Sequence, residues 1–572
     1  MPFRFSAPTF FLAATLLVAA APTVRAADQN CPDPAPSPPP SGVCSVTAGD
    51  AGRLLRGTVL LPDGVATHGS VMIDAGGMIT CAGCGCQNAT GADTATRIDC
   101  ANGVISPGLI DLRNHITFSQ DAPAVDTGER YEHRHDWRIG GASHGNHAKI
   151  PSVGGASNDQ IRWAELRALM AGSTSLLSSG GVAAFTRNLA TSVNRDGLAG
   201  AAAKFQTFPL GDSGGTTATS GCGTYSFDTA PLSGHYEFVA AEGINAAARN
   251  EFLCLAGLQA GGVDLLAGAT IAAAIPLRAS DAKAIADQAA SVVWEPRSDL
   301  RLYGMTAPVT LLDAEGVTIA LGGNWTVTGS FQVQRELACA DSYNATYLNR
   351  HFSDAALWRM ATANAAVSAG FGGEIGTLAP GRFADIAVFD ASARTAHRAV
   401  VGAGAGDVVL VVKGGVPMFG EADVVAGLGG GDGVCDTLDV CGNARRLCVT
   451  RETGGQTLAQ LQSINASNYP LFSCGEPVDE PTCKPVRSQA ASLVNVAPFF
   501  SGDAVAGDAD GDGVPDASDV CPAVFDPPRP ADGLVQADED NDGIGDACDP
   551  CPLDAGNACD VLFGNGFEAG GG

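Results

Sequence analysis

Basic residues are scarce in this chain: 33 Lys and Arg stand against 61 Asp and Glu, a formal charge of −28 over 572 residues. Phosphate backbones are bound by clustered Lys and Arg, so this balance argues against a nucleic-acid partner. After the N-terminus the chain also lacks any uninterrupted apolar stretch of the roughly 20 residues needed to cross a bilayer. No integral membrane domain is expected. The length exceeds that of one compact domain and calls for about three or four units.

Cysteine, by contrast, is plentiful, with 18 residues. Met1 to Ala26 carries Arg4, an apolar run from Phe10 to Ala21 and a small-x-small end at Val24-Arg25-Ala26, the pattern of a secretory signal. Export to a secreted, periplasmic or cell-surface location is therefore expected. An oxidising compartment lets thiols pair and persist, and several cysteines cluster, as in Cys81-x-x-Cys84-x-Cys86 before Cys100. That trio has zinc-like spacing, but in an exported chain disulfides are the favoured reading. Their connectivity is not legible in sequence.

Residues 27–50 form a Pro-rich linker, a composition suited to an extended spacer. Short β-rich runs bounded by Gly, Pro and Asp fill residues 51–104 and return over 380–420. Between them, over 105–379, apolar runs alternate with Ala-rich helical stretches, as in a parallel sheet covered by helices. Asp159 to Ala171 followed by Ser173 to Leu177 is one helix–strand unit, and Ala282 to Ala290 followed by Ser291 to Trp294 is another. A closed (β/α)8 barrel and an open doubly wound sheet both satisfy this periodicity. Residues 421–502 are Cys- and Gly-rich and expected to be irregular, 503–560 are Asp-rich repeats, and 561–572 form a tail of unknown purpose.

Three segments stand out: Pro107-Gly-Leu-Ile-Asp-Leu-Arg-Asn-His115, Leu321-Gly-Gly-Asn-Trp325 and Gly376-Thr-Leu-Ala-Pro-Gly-Arg-Phe-Ala-Asp385. In order and spacing they resemble three signatures of the amidohydrolase superfamily, with the nearest likeness to its deaminase and triazine-hydrolase branch, over about residues 53 to 420. The resemblance implies an α/β fold: a TIM barrel with a composite β-sandwich domain built from segments on both sides of it. It also implies metal-dependent hydrolysis of a non-peptide C–N bond in a small cyclic amide or amidine. In that chemistry a bound divalent ion lowers the pKa of the attacking water.

Against that family pattern the donors are largely missing. The first signature of the family ends in His-x-His, whereas here Arg113 precedes His115, and Asn324 stands for an Asp. Tyr236 to Gly243 resembles the strand that supplies a His before a catalytic Glu; Glu242 is present, but Val239 and Ala240 stand where the His belongs. Near Ala273 the next expected His is also gone. Arg113 offers no lone pair and carries a permanent positive charge, and a single retained ligand, His115, does not hold zinc or another divalent ion at useful affinity. Glu242, Asn324 and Arg113 are thus the inherited catalytic positions. Arg113 can either neutralise Glu242 as a stand-in for the ion or face solvent.

Arg130, His133, His135 and Trp137, together with Arg297 and Trp325, are candidate substrate-binding residues. His133-x-His135 has ligand-like spacing on a strand, and the segment reads alternatively as a displaced metal site, as a loop covering substrate, or as charges pairing on the surface.

Asp508-x-Asp510-x-Asp512-Gly513 continues to Asp516 and Asp519, and Asp538-x-Asp540-x-Asp542-Gly543 continues to Asp546 and Asp549. Alternate carboxylates around a Gly turn supply the six to eight oxygens that calcium takes. With Cys521, Cys548 and Cys551 beside them, and no loop-ending Glu, these resemble thrombospondin type 3 repeats rather than EF-hands. Calcium is the cofactor so implied, with an extracellular or cell-surface partner as a possible corollary. Three readings of function follow: a binding scaffold whose hydrolysis is lost, a hydrolase with a relocated or metal-free site, and an adhesion protein working through its calcium module.

Overall fold

A computed structural model describes residues 28–191, 195–229, 235–489 and 498–559. The expected signal at 1–26 and the tail at 561–572 lie outside the described residues.

The β-rich segments on either side of the central region do pair. Ala95–Pro107 runs antiparallel to Ile386–Asp390, with Val388 opposite Ile105. This joins the N-terminal strands to Val408–Lys413 and Val416–Glu421. The result is one continuous eleven-stranded mixed sheet, in place of two separately bonded layers. Its apolar face, from Leu55 and Ile98 to Val388 and Val412, is fully buried. The sheet extends further than expected, because the hairpin Asp436–Val440/Asn443–Leu447 adds to its edge through Phe419 and Leu447. Part of the Cys-rich region is therefore regular.

The central region supplies eight short parallel strands: β1 (Leu109–Asn114), β2 (Ser173–Ser178), β3 (Arg187–Asn188), β4 (Lys204–Gln206), β5 (Tyr236–Ala240), β6 (Thr270–Ala273), β7 (Ser291–Trp294) and β8 (Thr318–Leu321). Helices Asn158–Met170 and Ala279–Asp287 precede β2 and β7, as their periodicity required. Hydrogen bonds arrange the strands in two arcs, β1–β2–β3 and β4 through β8. At one junction Asn324 N donates to Arg113 O (2.8 Å) and His115 N to Asn324 O (2.7 Å); at the other Ala203 N donates to Leu189 O (2.9 Å). Leu112, Leu177, Ala272, Val293 and Ala320 from different strands share one core with Ala366 and Phe371. Strand-borne aliphatics buried this way each stabilise the fold by about 1.5–3 kcal/mol.

All 18 cysteines pair in nine disulfides. Cys81 joins Cys86 and Cys84 joins Cys31, which removes the zinc reading of that trio. Cys339–Cys483 staples the Cys-rich region to the strand domain. The C-terminal repeats are docked as well: Phe525 N donates to Tyr347 O, Ala531 N to Ile244 O, and Arg529 to the carbonyls of Ile275 and Leu277. Those last carbonyls lie just beyond β6, and Ile244 lies just beyond β5.

Candidate ligand cavity at the mouth of the parallel strands

In parallel α/β sheets, chemistry collects beyond the C-terminal strand ends. Here the turns after β5, β6 and β8 put non-glycine residues in the left-handed region: Ala241 (φ 55°), Ala273 (φ 79°), Ala274 (φ 55°) and Asn324 (φ 58°). Such backbone strain persists where surrounding structure enforces it. The strand ends thus hold a backbone conformation that L side chains rarely adopt.

Asp111 anchors the floor. Its carboxylate accepts from Gly323 N and Asn114 Nδ2, both at 2.9 Å, and burial pushes it up to about 6. Gly322 leaves room for Arg113, since a Cβ there would lie 2.6 Å from Arg113 Cβ. The Arg113 guanidinium is 2% exposed and its Nε lies 2.9 Å from Glu295 Oε1. Asn324 Nδ2 donates to the second oxygen, Glu295 Oε2, at 2.8 Å. Burial raises Glu295, and the Arg113 charge opposes that shift. One residue into β5, Glu237 is buried with neither carboxylate oxygen hydrogen-bonded. Burial holds it well above the usual carboxylate range, again opposed by Arg113.

The expected pairing of Arg113 with Glu242 is not formed. Glu295 holds the guanidinium, and Glu242 Oε1 instead accepts from Tyr303 Oη at 3.0 Å, which in turn accepts from Trp137 Nε1 at 2.9 Å. His115 is held by Arg113 Nη2, 3.4 Å from its Nε2. A guanidinium only donates, so Nε2 accepts and the ring proton sits on Nδ1. Burial and the Arg113 charge push His115 down to about 3.

A transition-metal ion does not fit this floor. His115 presents its Nε2 to a permanent cation, Asn324 is committed to Glu295, and among the described residues no convergent trio of His, Cys, Asp or Glu includes His115.

His133, His135 and Glu251 do converge, with both imidazoles hydrogen-bonded through Nδ1 and Glu251 held by ion-pair contacts with His133 and Arg134. His133 Nδ1 accepts from His135 N, and His135 Nδ1 accepts from Arg138 Nε. Each ring proton therefore resides on Nε2, facing Glu251 Oε1 at 3.1 Å and Asp212 Oδ2 at 3.0 Å respectively. A metal at either Nε2 would leave an imidazole without a proton on either nitrogen. Arg134, paired with Asp212 and 3.5 Å from Glu251, already supplies the cation.

Arg113, His115, Glu242, Asn324, Trp137 and Trp325 all line one cavity of about 320 Å³. Four proposed binding residues do not. His133 and His135 are buried behind Arg134, and Arg130 pairs with Asp126 (3.0 Å). Arg297 donates to Ser330 Oγ (2.6 Å) and to the Pro481 carbonyl, tying the Cys-rich region down. Sequence reading missed Glu295 and Tyr303, and missed Phe118, Lys149 and Phe208 in the lining. Glu295 alone had a signal, as a carboxylate directly after an apolar strand.

In the repeats, Asp508, Asp510 and Asp512 converge, as do Asp538, Asp540 and Asp542; a third group unites Asp512, Asp519 and the unforeseen Asp526. Asp516 and Asp546 each turn an oxygen back to brace their loops, at Ala509 N and Glu539 N, both 2.8 Å. Asp549 does so at Cys551 N, 2.7 Å. Buried oxygens of Asp510, Asp519, Asp538, Asp540, Asp546 and Asp549 have no hydrogen-bond partner. This donor set fits calcium.

Residues 235–418 match the amidohydrolase family and residues 501–527 the thrombospondin type 3 repeat. The chain thus carries an amidohydrolase domain and, near its C-terminus, a thrombospondin type 3 repeat. Over 119 residues, 20% of this chain, it is 34% identical to a 5-methylthioadenosine/S-adenosylhomocysteine deaminase of Syntrophobacter fumaroxidans and 31% identical to one of Teredinibacter turnerae. The matched stretch spans 27% and 26% of those relatives, about a quarter of each. Among solved structures, a zinc-bound adenosine deaminase from Xanthomonas campestris aligns with 64% of this chain and 92% of its own at 16% identity, TM-score 0.43. A zinc-complexed atrazine chlorohydrolase from Arthrobacter aurescens aligns with 64% and 95% at 16% identity, TM-score 0.44.

Proposed function

We propose that this is an exported protein in which the eight parallel strands close into a (β/α)8 barrel, and that the barrel binds a small molecule after losing metal-dependent C–N hydrolysis. The observation that carries this reading is Arg113, whose guanidinium lies between His115 and Glu295. A fixed cation there compensates buried carboxylates without an ion, and its charge opposes entry of one. The C-terminal repeats bind calcium and stiffen the docked module. Elemental analysis of the purified full chain, after calcium is stripped, tests the loss of metal chemistry. Less than stoichiometric zinc, manganese or iron is expected; one equivalent of any of them that stays bound through dialysis would overturn the proposal.

A second reading has one observation in its favour: Glu242 lines the cavity and is held there by Tyr303, where a carboxylate could still move protons in a metal-free hydrolysis. Turnover of cyclic amides or amidines by chelator-treated protein, abolished in Glu242→Gln, would support it over the first.

A further inference from the structure

The cavity walls and its charges point in one direction. Trp137 and Trp325 lie 5.6 Å apart at 48°, and Phe118 meets Trp325 edge-on at 5.6 Å. Both indole N–H groups are already used within the protein, by Tyr303 and by Thr328. The indoles therefore offer apolar faces, which suit a flat ring, and no free donor. Of the four cations in the lining, Arg113 is neutralised by Glu295 and Arg134 by Asp212. The other two are not. Arg138 has no carboxylate within ion-pair distance among the described residues; its guanidinium stacks 4.7 Å above Phe208 and is aimed by a 2.6 Å bond to Ser213 O. Lys149 makes no ion pair among the described residues and is exposed at the rim. Glu242 sits deeper, almost fully buried. An anion placed at the floor would meet that carboxylate, whereas one at the rim would meet two unneutralised cations.

Resting on the small-molecule reading above, we infer that the cavity takes a flat aromatic carboxylate, its ring packed against the wall that Trp137, Trp325 and Phe118 form together and its carboxylate outward at Arg138 and Lys149. Arg138 is the orienting residue, because its guanidinium is held by stacking and by the bonds of Nε and Nη2 to His135 and Ser213, which leaves Nη1 to donate to a carboxylate from a fixed position. Lys149 adds a point charge that salt screens.

The test uses the calcium-saturated full chain and calorimetric titration with naphthalene-2-carboxylate and its neutral isostere naphthalene-2-carboxamide at low ionic strength. The carboxylate is expected to bind about tenfold tighter, a preference that shrinks at high salt. Lys149→Gln, at an exposed side chain that leaves the fold intact, removes part of the preference. Arg138→Gln removes most of it and Arg138→Lys restores part. Equal affinity for the two probes, tighter carboxamide binding, no binding of either at millimolar concentration, or a preference unmoved by both Gln variants would overturn the inference. Metal content of the same preparation is read separately. Bound zinc with an intact carboxylate preference would sink the loss of metal chemistry alone, and metal-free protein indifferent to the carboxylate would sink this inference alone.

Discussion

The strand mouth and the C-terminal repeats both bury clusters of carboxylates, and they solve the resulting problem in opposite ways. At the mouth and just behind it, Glu295 is paired with Arg113 and Asp212 with Arg134, both built into the chain. In the repeats, Asp508, Asp510, Asp512, Asp538, Asp540 and Asp542 form no ion pair among the described residues. Burial and the neighbouring Asp charges raise Asp510 to about 6 and Asp512 to about 7. A buried charge needs a partner in either place. A protein guanidinium makes that partner permanent, whereas the calcium proposed for the repeats would make their order conditional on its supply.

The sharpest way to break this contrast is to delete the internal cation. Arg113→Met leaves Glu295 and Glu237 buried without it and should lower stability by about 3–5 kcal/mol, the usual penalty for removing one partner of a buried pair. Arg113→Lys should fall between the two. Denaturant unfolding that places Arg113→Met within error of the parent would show that the carboxylates are simply protonated and need no partner.

Removing the external cation should act only on the other region. With calcium at a hundredfold excess over its dissociation constant, each site that binds only the folded form contributes about 2.7 kcal/mol. Chelation should therefore make residues 503–559 protease-sensitive while the strand domain keeps its melting transition. Identical digestion patterns with and without chelator would remove calcium from the account of the repeats.

A pH series sharpens the comparison further. Burial raises Glu165 and Glu336 to about 7 and Asp111 to about 6. The folded strand domain thus retains protons that the unfolded chain releases near pH 4. Their stabilising contribution is complete below that pH and lost as pH rises through 6 and 7, on the order of 1 kcal/mol per pH unit. Unfolding free energies measured at saturating calcium should decline from pH 5 to 7.5; a rise over that window would contradict the assignment.

The most local effect should come from the contact between the two regions. Arg529 donates to the Ile275 and Leu277 carbonyls, both at 3.0 Å, and Arg278 pairs with Asp532 at 2.8 Å. Arg529→Ala should cost about 1.5–3 kcal/mol of docking, read as faster hydrogen exchange in residues 526–536 with unchanged ligand affinity in the cavity. Exchange that stays at the parent rate would show that the other docking bonds suffice.

Much of this architecture was legible in advance. The helix–strand alternation around 158–178 and 279–294 and the Asp-x-Asp-x-Asp loops follow from local periodicity and turn residues, while the pairing of the two β-rich segments was implied by the family resemblance. That Arg113, Val239, Ala240 and Ala273 offer the mouth no lone-pair nitrogen could also be read. The partner of Arg113 could not: Glu295 comes from β7, about 180 positions along the chain, and nothing local ranks it above Glu242. Arg130, His133, His135 and Arg297 misled for a related reason. Charge and spacing mark a polar side chain as usable, but burial and competing partners decide whether it faces the cavity or braces the wall behind it. Asp526 was missed because it lies off the alternate-Asp spacing, inside the loop closed by Cys521–Cys548, and meets Asp512 and Asp519 only in the folded chain.

Sequence alone determined which groups this protein possesses: carboxylates in loops of calcium spacing, cysteines in even number, and strand ends with few nitrogen donors. Those are properties of short segments, and short-range chemistry suffices to read them. Only the tertiary structure decided which charge neutralises which, which aromatics wall the cavity and which two cations are left over at its rim. Electrostatic partnership depends on distance and burial in three dimensions, and residues far apart in the chain acquire both only when the strands come together.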